Sequence, residues 1–151
     1  MSLMGASRYT VSFRVSHPAM DPRDITKALG LEPRRCWRAG EPRTTPLGKP
    51  LKGVNRDTYW YTVIHEGNMP PLSLAAELDE ALDELRVHRE FLHRIRAEGG
   101  RSQFFIGWFM QDQAREIFPH TTLAKMADLR IDLDLDNYLE PDLPDGPHDE
   151  R

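Results

Sequence analysis

Seven cations, Arg34, Arg35, Arg38, Arg43, Lys49, Lys52 and Arg56, fall between Pro33 and Asp57, and Glu41 alone interrupts them. Trp37 stands near the entry of this stretch and Trp60 just past its exit. Guanidinium groups can grip a phosphate or carboxylate through paired hydrogen bonds and can lie flat on an aromatic ring, so cations beside an exposed indole suit an anionic ligand or an acidic surface. The residues expected to do this are Arg34, Arg35, Trp37, Arg38, Glu41 and Arg43. The plainer alternative is a loop kept soluble by its charges. Long loops are uncommon in compact domains, however, and those that persist often carry function.

Other groups that could do chemistry are less well arranged. Cys36 lies between Arg35 and Trp37, where neighbouring cations would favour the thiolate, but no base accompanies it in a motif. Asp132, Asp134 and Asp136 resemble the start of a calcium loop, yet the sixth position would be Asn137 instead of Gly and the twelfth Leu143 instead of Glu. Their alternation with leucines fits the wet face of an edge strand. His88 and His93 are five apart, which does not place two ligands on one helical face. With no glycine-rich phosphate loop, nucleophile elbow or HExxH motif, an enzyme is the less favoured reading, and no cofactor or metal is expected.

The frame that must position these residues is modest in size. At 151 residues the chain suits one domain with a full core, and 39% hydrophobic with 29% charged residues is ordinary for a globular protein. A net charge of −4 disfavours a dedicated nucleic-acid binder while leaving room for a local basic patch. The single cysteine precludes an intrachain disulfide and fits a reducing, cytoplasmic setting. No apolar run approaches the roughly 20 residues needed to cross a bilayer, so no membrane association is expected. Met1-Ser2-Leu3 ahead of Met4 reads as an expression-vector scar. The expected layout is a lead over residues 1–8, a single domain over 9–138, and a Pro-rich acidic tail over 139–151 that docks on something.

Within the domain, Val11, Phe13 and Val15 alternate with Thr10, Ser12 and Arg14, the period of a half-buried strand. Asp21-Pro22 opens a short helix that Gly30 closes. Residues 35–38 form a brief strand, after which the prolines and glycines of the basic stretch predict an irregular exposed loop. Residues 58–64 are dense in aromatic and β-branched side chains and predict a strand, with Trp60 in the core. Leu74, Leu78, Leu82, Leu85, Leu92 and Ile95 recur at helical spacing up to Gly99-Gly100 and predict one long helix. The apolar run 103–110 suits a strand covered on both faces or lying at a subunit contact, with Gly107 marking a bulge or a close backbone approach. A helix over 120–128, capped by Thr121 or Thr122 with Leu123, Met126 and Ala127 inward, precedes an alternating strand over 131–136. This order gives an α+β fold, a mainly antiparallel sheet with helices on one side and ferredoxin-like character.

The run Gly30-Leu31-Glu32-Pro33, then Trp37-Arg38-Ala39-Gly40-Glu41 and Tyr59-Trp60, resembles a bacterial family, domain of unknown function 4279. The opening strand with Asp21-Pro22-Arg23-Asp24-Ile25-Thr26 and the closing Ile131-Asp132-Leu133-Asp134-Leu135 support it, over roughly residues 9–138. The resemblance implies a small α+β domain and no catalytic residues. The functional expectation is therefore an uncharacterised binding or protein-interaction module. It would use the Arg/Trp loop toward an acidic partner or anionic ligand, with self-association as a related mode. The alternatives are nucleotide or nucleic-acid binding by the same loop, or an enzyme of unknown reaction.

Overall fold

A computed structural model describes residues 8–66, 73–110 and 115–139; the expected docked tail lies outside these residues. In chain order the elements are β1 (Arg8–His17), α1 (Pro22–Leu29), β2 (Arg35–Trp37), β3 (Pro42–Thr44), β4 (Pro50–Val54), β5 (Thr58–His65), α2 (Leu74–Leu85), α3 (Arg89–Ala97), β6 (Arg101–Met110), α4 (His120–Asp128) and β7 (Ile131–Leu139). Five strands form one sheet in the order β2-β5-β1-β6-β7, and β3 and β4 form a separate two-stranded hairpin. All pairings are antiparallel except β6 with β7, where the chain crosses over through α4. The fold is thus α+β with a mainly antiparallel sheet, a two-layer arrangement compatible with ferredoxin-like character.

The local signals that start and stop the helices act as their chemistry dictates. Asp21 accepts a hydrogen bond from the Arg23 amide, Pro22 takes the first turn, and Gly30 at φ 68° closes α1 with its amide on the Thr26 carbonyl. Ser73 caps α2 through the Ala76 amide. The expected single long helix is instead two, joined by a 3₁₀ turn at Arg86–His88. Between Leu85 and Leu92 no side chain is buried and Val87 lies exposed, so no packing holds the helix on a straight course there. α4 spans the expected residues, but its N-cap is Pro119 and no side chain caps it. Thr122 is buried and donates to Asp79 Oδ1 at 2.8 Å, while Leu123 and Ala127 are exposed and Met126 with Leu129 packs inward.

The basic stretch is not irregular. Thr45 and Lys49 close a tight turn, with the Thr45 amide on the Lys49 carbonyl, the Gly48 amide on the Thr45 carbonyl and the Lys49 amide on Thr45 Oγ1. Proline is tolerated in β3 and β4 because each strand has a free edge, where a missing N–H costs no ladder bond. Every residue in these two strands is exposed, and Leu47 at the tip is 97% exposed.

The core lies between one face of the sheet and the helices. Val11, Phe13 and Val15 of β1, Trp60 of β5, and Phe104, Ile106 and Trp108 of β6 meet Leu74, Leu78, Leu82, Leu92 and Ile95. Trp60 is wholly buried, and its Nε1 donates to Thr26 Oγ1 at 2.9 Å, as its place in the core demands. β6 is consequently covered on one face only, which corrects the expectation of burial on both. Its Gly107 does mark a close approach, since a Cβ there would meet Thr10 Oγ1 at 2.9 Å.

Candidate functional site

Strand alternation places a second set of residues on the face that the helices leave open. Register lines them up in rows. Trp37, Tyr59, Ser16 and Arg101 form the first row; Arg35, Tyr61, Arg14, Gln103 and Asp132 form the second. Val63, Ser12, Phe105 and Asp134 follow, then Thr10, Gly107 and Asp136, then Arg8, Phe109 and Tyr138. Aromatic rings stand in every row but that of Thr10, Gly107 and Asp136, and the charge is divided: Arg14, Arg35 and Arg101 gather toward the Trp37 end, Arg8 lies at the other, and the acids run along β7.

Arg14 occupies the centre of the cationic end. Its guanidinium carbon lies 3.9 Å from the centre of the Phe105 ring and 5.9 Å from that of Tyr61. Its Nε is buried, yet it has no hydrogen-bond partner among the described residues. Trp37 and Tyr59 stack with ring centres 4.7 Å apart, and Arg35 lies 4.8 Å over the indole. The Arg35 guanidinium also donates to the Thr44 carbonyl at 3.0 Å, tying the hairpin to the sheet edge. The hairpin root is fixed by the Gly40 amide on the Asn55 carbonyl and the Asn55 amide on the Glu41 carbonyl, each 2.8 Å.

Between hairpin and sheet runs a groove of about 570 Å³, lined by Arg14, Arg43, Arg56 and Arg101, with Trp37 and Tyr59 as its aromatic wall; the Arg43 guanidinium also donates to the Lys52 carbonyl at 3.3 Å. Among the described residues Asp57 is the one carboxylate in its lining, and none of those lining it is Cys or His. A second hollow of about 430 Å³ extends over the sheet face and shares Arg14, Trp37 and Tyr59 with the first. Both volumes fall within the range of small-ligand clefts, roughly 300–1,000 Å³.

The residues expected from the sequence are divided by this geometry. Arg35, Trp37 and Arg43 meet at the groove and the adjoining face. Arg34 borders the face, but its guanidinium pairs with Glu66 at 3.1 Å. Arg38 turns the other way, toward Asp21 of the α1 cap at 3.4 Å, and its carbonyl accepts from Asn55 Nδ2. Glu41 is exposed and serves the hairpin root through its backbone. Arg14, Tyr59, Tyr61, Arg101 and Phe105 were not anticipated as site residues. The signal for them was present in the alternation of their strands, which sets Tyr59 and Tyr61 opposite Trp60 and Arg14 opposite Phe13 and Val15.

Electrostatics settles two further points. Partial burial and the nearby carboxylates of Asp21 and Glu41 push the Cys36 thiol up, opposite to the thiolate-favouring effect anticipated from its cationic neighbours in sequence. Asp21 is held down at about 2, chiefly by hydrogen bonds from the Arg23 side chain and backbone. The aspartates of β7 do not form a calcium loop. Asp132 pairs with Arg96 at 2.9 Å, Asp134 accepts from Gln103, and Asp136 accepts from the Tyr138 hydroxyl. Among the described residues no group of three or more His, Cys, Asp or Glu could hold a metal ion, and no helix is long and apolar enough to cross a membrane.

Residues 7–140 match the family model described as Domain of unknown function (DUF4279). The chain belongs to this family. The match starts just before β1 and ends just after β7, so the DUF4279 domain includes the whole sheet, the hairpin and the open face. No curated protein and no solved structure matches the chain.

Proposed function

We propose that this DUF4279 domain is a binding module that takes an anionic ligand in the groove between the β3–β4 hairpin and the open sheet face. The observation that supports this most is Arg14. A buried donor without a partner costs free energy, about 1–3 kcal/mol by general experience; Ser102 Oγ and Trp108 Nε1 share that state among the described residues, and what sets Arg14 apart is that its side chain also lines a groove with three further arginines. Arg43, Arg56 and Arg101 converge from separate elements on the same groove, and converging guanidinium groups favour phosphate or carboxylate oxygens. The basic stretch thus contributes one wall of the site, and the sheet contributes its floor.

Inorganic pyrophosphate at low ionic strength is the simplest probe. Trp37 is the reporter, because Trp60 and Trp108 face the core. Saturable quenching that weakens with added salt is expected, and replacing Arg14 with Met should weaken it. Absence of binding at low salt would remove this reading.

A further inference from the structure

We propose that the anionic ligand is a single nucleoside phosphate, its phosphates among Arg14, Arg43, Arg56 and Arg101 and its base on the Trp37–Tyr59 wall. This rests on the anion-binding reading above and adds what the aromatic and acidic halves of the face do to the choice of ligand. The groove and the second hollow share Arg14, Trp37 and Tyr59, so one molecule with a charged end and a flat end can span both. Trp37 and Tyr59 are half-buried and already preorganised by mutual stacking. A stacked pair held in place by Arg35 loses little freedom when a third ring is added.

Charge then limits the length of the ligand. Arg14, Arg35 and Arg101 occupy one end of the face and Arg8 the other, whereas Asp134 and Asp136 stand along β7 between them, on the far side of the same hollow. A nucleic-acid strand laid across the sheet would bring successive phosphates from the arginines onto these carboxylates, where like charges repel. One base and its phosphates fit this division. A polymer does not.

The test compares pyrophosphate, ribose 5-phosphate, the four ribonucleoside diphosphates and a ten-residue RNA by calorimetry at low salt, with Trp37→Leu alongside. At least one nucleoside diphosphate should bind about tenfold more tightly than pyrophosphate, in line with base stacking on an aromatic side chain. Trp37→Leu should erase that advantage, bringing the affinity for the nucleoside diphosphate down to that for pyrophosphate. Nucleoside diphosphates binding no more tightly than pyrophosphate would overturn the nucleotide assignment and leave the anion site standing. RNA binding more tightly than every diphosphate would overturn the limit to one nucleotide. Failure of every anion to bind would overturn both readings. The comparison among ligands uses the unaltered protein, so it holds even if the variant fails to fold.

Discussion

Replacing Arg14 with Met should make the free protein more stable while weakening its hold on anions, a combination that separates a binding residue from a structural one. The guanidinium lies on Phe105 at 3.9 Å, and its buried Nε has no hydrogen-bond partner among the described residues. Removing an unsatisfied buried donor recovers about 1–3 kcal/mol. Against this stands the lost cation–π contact, about 0.5–1 kcal/mol for a partly exposed site, which a Met thioether on the same ring largely replaces. The balance is a gain of about 1–2 kcal/mol. For a chain of this length each kcal/mol moves the melting temperature by about 2–4 °C, so Arg14→Met should melt about 2–8 °C higher than the wild type without ligand. Pyrophosphate at a hundred times its wild-type Kd should stabilise the wild type by about 2.7 kcal/mol and the variant by much less. Melts followed by circular dichroism, each with and without pyrophosphate, give all four values. A variant destabilised by more than about 1 kcal/mol would show that the guanidinium holds the sheet together, and the argument from an unsatisfied donor would fail.

Three further outcomes follow from particular contacts. Asp21 titrates near 2 in the folded protein against an ordinary 3.8, so its stabilising charge is fully present above 3.8 and is lost as pH falls through 2; Asp21→Asn keeps a cap acceptor but should be less stable than wild type at neutral pH, with the gap closing toward pH 2 in acid-unfolding curves, and a gap constant with pH would contradict this. Iodoacetamide should modify Cys36 with a half-maximal rate above the ordinary thiol value of 9.0; half-maximal reaction near neutral pH would mean that the neighbouring arginines dominate after all. A Cβ on Gly100 would collide with the Ser16 carbonyl and crowd the Ile95 carbonyl, both backbone, whereas on Gly107 it meets only the rotatable Thr10 hydroxyl. Gly100→Ala should therefore cost about 1–3 kcal/mol in urea unfolding, and Gly107→Ala clearly less; equal costs would count against the close-packed join between α3 and β6.

Much of the fold is local, and local signals were legible. The cap Asp21-Pro22 with Gly30, the alternation of β1 and the aromatic density of β5 each depend on residues a few positions apart. So does the helix over His120–Asp128, whose extent and inward Met126 were readable although the rest of its inward face was not, because Thr122 is drawn in by Asp79, 43 positions earlier. The same distance limits the long helix. Its leucine spacing marks which residues face the sheet, but the 3₁₀ turn at Arg86–His88 follows from where packing stops.

The candidate site shows the division most clearly. Composition and spacing alone determined that cations and a tryptophan crowd into residues 33–57, and that Trp60 belongs to the core while its neighbours Tyr59 and Tyr61 face the other way. Tertiary structure decided which cations act together. The pairing of β1 with both β5 and β6 brings Arg14 into line with Tyr61 and Gln103, and the hairpin turn at Thr45–Lys49 folds Arg43 and Arg56 back over that sheet. The α1 cap, meanwhile, draws Arg38 away to Asp21. Charge along a chain specifies attraction without direction. Only strand register and a closed turn give it a place, because they fix which side chains share a face and which are already neutralised by a partner.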